Sequence, residues 1–152
     1  MSTFFAMFKD YRRTTTILFW YWLLSAVAYL LYQTAVSTQT GMSFEEVITD
    51  PSVALAFVAS CSVIIMAALL RVAEAENLRT LRIYAIFSVI HQLLTGNVIG
   101  LILAALIVYY LPRAKGESFA PTQKLILSGG MVLIGLVLVL WLVAQLNRML
   151  GG

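Results

Sequence analysis

The residues with the most chemical potential sit together inside one apolar stretch. They are His91, Gln92, Thr95 and Asn97, in the run His91-Gln92-Leu93-Leu94-Thr95-Gly96-Asn97. No Asp, Glu, Lys or Arg interrupts the surrounding sequence from Ile83 to Leu111, and His91 is the single histidine of the chain. An imidazole at membrane depth has the chemistry to relay protons or to ligate a metal or haem, which is why such residues point to function. One histidine does not make a metal or haem site alone, and no cysteine or acid lies near it in sequence, so no cofactor is expected. On a continuous helix His91 and Thr95, four apart, share a face, whereas Gln92 and Asn97 point elsewhere. The four residues form a candidate intramembrane polar cluster. Either they line a polar cavity or they bond across helices, at about 0.6–2 kcal/mol per bond.

Other chemistries are poorly served. The acids Asp10, Glu45, Glu46, Asp50, Glu74, Glu76 and Glu117 all fall in loops or at the ends of apolar segments. Without a carboxylate at midplane, paired-carboxylate catalysis within the membrane is excluded and proton-coupled transport is disfavoured. The chain has no Gly-rich phosphate loop, no Ser–His–Asp set and no zinc-ligand spacing, and it is not expected to be an enzyme. Cys61, the lone cysteine, reads as a small buried thiol that cannot form an intrachain disulfide. The densest charged stretch is Arg71, Glu74, Glu76, Arg79 and Arg82. It is either a cytoplasmic docking surface or a solvated loop with local pairs three residues apart. No basic stripe lies on a polar face, so nucleic acid is not an expected partner.

The elements that must position these residues follow from composition. Of 152 residues 61% are hydrophobic and 11% charged, against about 45–50% and about 25% in soluble domains. A soluble core cannot absorb that apolar surface, and the lipid bilayer can. The expected fold is all-α, a polytopic integral membrane helix bundle forming one membrane domain. About four transmembrane helices are expected, at residues 16–36, 51–72, 83–111 and 122–146. Phe4, Phe5, Phe8 and Tyr11, interleaved with Lys9, Arg12 and Arg13, suggest an amphipathic surface helix ahead of the first span. The apolar stretch from Ile17 to Leu31, with a faint cleavage-like Ala35-Val36-Ser37, also raises a signal peptide. Its aromatic residues, Phe19, Trp20, Tyr21, Trp22, Tyr29 and Tyr32, favour a retained signal anchor.

Start signals are clear at three places. Ser43-Phe44-Glu45-Glu46 is a capping box, Asp50-Pro51 is a cap followed by a first-position proline, and Pro121 opens the last segment. Small residues mark packing seams: Ser52, Ala56 and Ser60 on the second segment, and Gly96, Gly100 and Ala104 on the third. Ser128-Gly129-Gly130 with Gly135 offers another on the fourth. Trp141 reads as an interfacial anchor.

The third segment is too long. A helix over 83–111 would extend about 43 Å, against about 30 Å of hydrocarbon. One tilted helix, kinked at Gly96, is the expectation; a re-entrant hairpin turning at Thr95-Gly96-Asn97 is the alternative. With four crossings and the N-terminus inside, Lys9, Arg12, Arg13, Arg71, Arg79, Arg82 and Arg148 are cytoplasmic, 7 of 10 basic residues. The hairpin brings Arg113, Lys115 and Lys124 inside and puts Arg148 outside, giving 9 of 10. The positive-inside rule thus leans toward the hairpin. Two half-helices with so few polar groups are an unusual re-entrant element, which favours the single helix.

The expected role is a small accessory or regulatory subunit of a membrane complex, acting in the cell membrane through helix packing with a membrane-protein partner or a second copy. The alternative is a small homo-oligomeric channel or transporter whose path is lined by residues 83–111.

Overall fold

The computed structural model describes residues 10–41, 43–112 and 121–150, with the backbone alone at positions 40, 44, 52, 76, 121 and 148. Of the expected N-terminal surface helix, Phe4, Phe5, Phe8 and Lys9 lie outside the described residues, as does most of the 112–120 linker, while Tyr11, Arg12 and Arg13 belong to the first turn of the long helix α1. The described chain is helical throughout: α1 (Tyr11–Thr40), α2 (Phe44–Ile48), α3 (Pro51–Glu76), α4 (Leu78–Leu94), α5 (Val98–Tyr110) and α6 (Pro121–Leu150).

Local signals set most of these boundaries. Asp10 caps α1 by accepting from Arg12 N at 3.0 Å, and Gly41 ends it with φ +67° in the left-handed region. The capping box forms at α2, with Ser43 N donating to Glu46 Oε2 at 2.7 Å and Glu46 N to Ser43 Oγ at 3.2 Å. Pro51 begins α3 and Pro121 begins α6, as proline at a first helical position should. Asn77 separates α3 from α4 and caps the latter through Thr80 N at 2.8 Å.

Three helices are long and apolar enough to cross a membrane, over Tyr11–Gln39, Val53–Ala75 and Thr122–Asn147. The single helix expected over 83–111, and with it a fourth crossing, is not observed. The segment divides into α4, of 17 residues, and α5, of 13, about 25 Å and 20 Å long, both short of the hydrocarbon thickness. They fold back on each other as a hairpin. Arg82 Nη2, near the start of α4, donates to Val108 O at 3.3 Å and Leu111 O at 3.1 Å, at the end of α5. The guanidinium thereby supplies a positive charge to the carbonyl end of α5, where the helix dipole is negative.

Helical periodicity decides what the hairpin buries. On α4 the buried residues include Leu81, Tyr84, Ala85, Ser88, His91 and Gln92, and on α5 they are Gly100, Leu103, Ala104 and Ile107. Both sets follow the three- and four-residue steps of one helix face. That face meets Leu18 and Trp22 of α1 and Met66 and Leu70 of α3 in a common core. Tyr84, fully buried, joins α4 to α3 by donating to Met66 O at 2.6 Å. Arg71 stacks over the Phe19 ring, 4.3 Å from its centroid. The core therefore occupies the part of the bundle that the hairpin fills. Past the hairpin tip the long helices α1, α3 and α6 enclose a cavity.

Candidate functional site

The hairpin turn is built from Thr95, Gly96 and Asn97. Gly96 has φ +71°, a left-handed conformation that side chains with a Cβ resist. It permits a Schellman closure of α4: Gly96 N donates to Leu93 O at 3.2 Å and Asn97 N to Gln92 O at 2.9 Å. Thr95 turns its hydroxyl back onto His91 O at 3.0 Å. Asn97 ends one helix and starts the next, because its Oδ1 accepts from Gly100 N at 3.0 Å as the cap of α5. The same oxygen accepts from Tyr21 OH at 2.7 Å, which ties the tip to α1. The turn thus satisfies much of its own backbone.

Gln92 and Gly100 face each other across the hairpin. A Cβ on Gly100 would lie 2.5 Å from Gln92 Oε1, so the close approach depends on glycine. The Gln92 amide nitrogen points to Met66 Sδ at 4.0 Å. Its oxygen is buried and has no hydrogen-bond partner in the protein, and the same holds for His91 Nδ1. His91 is 6% exposed and Gln92 1%.

Both residues, with Thr95 and Asn97, line the cavity beyond the tip, whose volume is about 320 Å³. The opposite walls come from Ser25, Ala26 and Tyr29 of α1 and from Ala56, Ala59, Ser60, Ser62 and Val63 of α3. Val137, Leu138 and Trp141 of α6 close the circuit. Every lining residue is uncharged, setting aside the protonation state of His91.

The hydroxyls are arranged with one bias. Ser25 donates to Trp22 O at 3.0 Å, Ser60 to Ala56 O at 2.9 Å and Ser62 to Val58 O at 2.9 Å. With their protons committed to helix carbonyls, as that of Thr95 also is, these oxygens have only lone pairs left to offer. Tyr29 OH accepts from Gln33 Nε2 at 2.7 Å, which leaves its own proton to donate. Among the described residues no group of three or more His, Cys, Asp or Glu is placed to hold a metal ion.

The turn therefore does what a continuous helix could not: it brings His91, Gln92, Thr95 and Asn97 to one cavity. The expected seams are redistributed. Gly96 belongs to the turn, with open space where a Cβ would stand, while Gly100 and Ala104 pack inside the hairpin. Ala56 and Ser60 line the cavity; the Ser52 side chain lies outside the described residues. On α6, Gly130 packs against Leu69, whereas Gly129 and Gly135 have open space around them. The charged stretch is partly turned inward: Arg71 pairs with Glu74 at 2.7 Å and Arg82 clasps α5. The expected Glu76–Arg79 pair lies outside what is described, because the Glu76 side chain is not. Tyr21, Tyr29 and Trp141, which as sequence suggest only interfacial aromatics, prove to be tip or cavity residues. One local signal was available for Tyr29, since Gln33 lies four residues on, inside an apolar helix.

No family model matches the chain, and no curated protein or solved structure matches it either.

Proposed function

We propose that this chain is a non-enzymatic multi-pass protein of the cell membrane that binds a small polar solute and passes it across the bilayer. In this reading the α4–α5 hairpin enters from the cytoplasmic side and its tip forms one wall of the path. One observation carries it: the buried polar residues His91 and Gln92 line, with Thr95 and Asn97, a cavity whose other walls bear no charged side chain. The hairpin topology also accords with the basic residues, 9 of 10 of which fall on the cytoplasmic side. The test is solute flux into liposomes containing the pure protein. Flux that falls in His91→Ala and in Asn97→Ala supports the reading; pure, folded protein that moves no solute sinks it.

A second reading, an accessory subunit working through helix packing, draws on α6. Gly129 and Gly135 have open space where a Cβ would stand, the sort of surface a neighbouring transmembrane helix approaches closely. Here a partner or second copy should co-purify and be lost on Gly135→Leu.

A further inference from the structure

We propose that Arg12, together with Tyr11, binds the phosphate of an anionic phospholipid in the leaflet that faces the positive end of the bundle. Such a site lies at the membrane surface, apart from the cavity, and stands or falls independently of solute transport.

The helices give the bundle two ends of opposite charge. Arg82 joins the start of α4 to the end of α5, and Arg71 over Phe19 joins the end of α3 to the start of α1. Gly130 against Leu69 brings the start of α6 to the same end. Among the described residues this end carries Arg12, Arg13, Arg71, Arg79, Arg82 and Lys124 against Asp10, Glu74 and Glu76. The opposite end carries Glu45, Glu46 and Asp50 against Arg148. A net positive end at a membrane surface draws anionic lipid.

Arg12 stands at the right depth. It precedes the apolar stretch that opens at Ile17 by five residues, a rise of about 7.5 Å along a helix. The headgroup layer outside the hydrocarbon is about 5–7 Å thick on each side. Trp20, one turn inside Ile17 and 51% exposed, falls where an interfacial aromatic belt forms.

The arginines differ in what they have left to offer. Arg82 clasps α5. Arg71 pairs with Glu74 at 2.7 Å and stacks on Phe19. Arg13 lies 3.7 Å from Asp10. Arg12 commits only its Nε, which donates to Tyr11 OH at 3.3 Å. Its two terminal nitrogens have no partner among the described residues, and they form an edge that can grip a phosphate bidentately. Glu74, the acid that acts on Arg12 from α3, is already engaged by Arg71. The Tyr11 hydroxyl accepts from Arg12 and so keeps its own proton to donate. The bare N-terminus of α1 is not the attraction, because Asp10 caps it.

The test uses the full chain, purified in mild detergent and given equal amounts of phosphatidylglycerol and phosphatidylcholine. Native mass spectrometry reads the lipid retained, with inorganic phosphate as competitor in a parallel arm. Phosphatidylglycerol should be held in preference, about tenfold more weakly in Arg12→Gln, as loss of a charge-assisted hydrogen bond implies. Arg12→Lys, which keeps the charge without the fork, should restore part of the binding, and Tyr11→Phe should lose less than Arg12→Gln. The Arg12 side chain is exposed, so these changes spare the packed bundle. Lys124→Gln, at the same end of the bundle, should leave retention unchanged. A loss in Lys124→Gln equal to that in Arg12→Gln overturns the site in favour of diffuse attraction. Equal retention of the two lipids by the unmodified protein overturns it outright. Displacement of the lipid by millimolar inorganic phosphate overturns the lipid as occupant and assigns the site to a water-soluble phosphate.

Discussion

Gly100 and Gln92 are in such close register across the α4–α5 hairpin that a Cβ on Gly100 would stand 2.5 Å from Gln92 Oε1 and 2.9 Å from its Cδ. The Gln92 side chain is 1% exposed, so it has little room to yield. Gly100→Ala should therefore destabilise the protein by about 1–3 kcal/mol through overpacking. Unfolding in mixed detergent micelles measures it, and an unchanged midpoint would mean that the helices sit farther apart.

Gly96 tests the turn in a way that fixes a sign. Nothing lies within 4 Å of a Cβ built there, yet its φ is +71°, so Gly96→Ala meets only backbone strain, about 1–2 kcal/mol. In one continuous helix the same substitution would stabilise, by about 0.8–1 kcal/mol. The direction of the shift in unfolding free energy separates the two architectures.

Tyr21 and Asn97 are joined by a 2.7 Å hydrogen bond between α1 and the tip. Tyr21→Phe removes it and should cost about 0.5–1.5 kcal/mol. Asn97→Ala removes the α5 cap as well, adding about 1 kcal/mol. A double-mutant cycle should give a coupling near the cost of Tyr21→Phe alone; zero coupling would show that the bond contributes nothing.

The Arg82 clasp should be stronger, since hydrogen bonds to a charged group contribute about 1.5–3 kcal/mol. Arg82→Met should destabilise by that order and speed hydrogen exchange at the amide of Leu111, which bonds to Ile107 O at 2.9 Å. Unaltered exchange there would indicate that α5 holds its end without the arginine.

Topology is tested by labelling. With cysteines introduced singly at Arg13 and Lys124 in a Cys61→Ala background, a membrane-impermeant reagent should reach both sites from the same side. Labelling from opposite sides would require an additional crossing between them and exclude the hairpin topology.

What the sequence discloses here depends on how far apart the interacting residues lie. Ser43 with Glu46 and the prolines at 51 and 121 act within a turn of themselves, and their helix ends are where those signals put them. The break at 95–97 is different. Excess length, Gly96 and the basic-residue count all pointed toward it, but both architectures satisfied those local rules. Distant contacts specify the hairpin: Arg82 reaches carbonyls 26 and 29 residues away, and Tyr21 OH reaches Asn97 across 76. The same limit applied to the cavity. On a straight helix His91 shares a face with Thr95 while Gln92 and Asn97 point elsewhere; the convergence of all four on one cavity exists only once the chain reverses. Ser25, Tyr29 and Trp141 belong to other helices, so no spacing rule could have gathered them.

Arg82 closes the base of the hairpin, and from Ile83 to Leu111 there is no Asp, Glu, Lys or Arg. The paired helices are thus a wedge with a neutral blade and a cation at the heel. In the proposed topology, driving the wedge into hydrocarbon moves no charged side chain. Pulling it through to the opposite leaflet would carry Arg82 with it, at about 2.5–3.5 kcal/mol on an insertion scale. In that topology assembly should accordingly be directional, with the bilayer admitting the hairpin from one face and the heel holding it there.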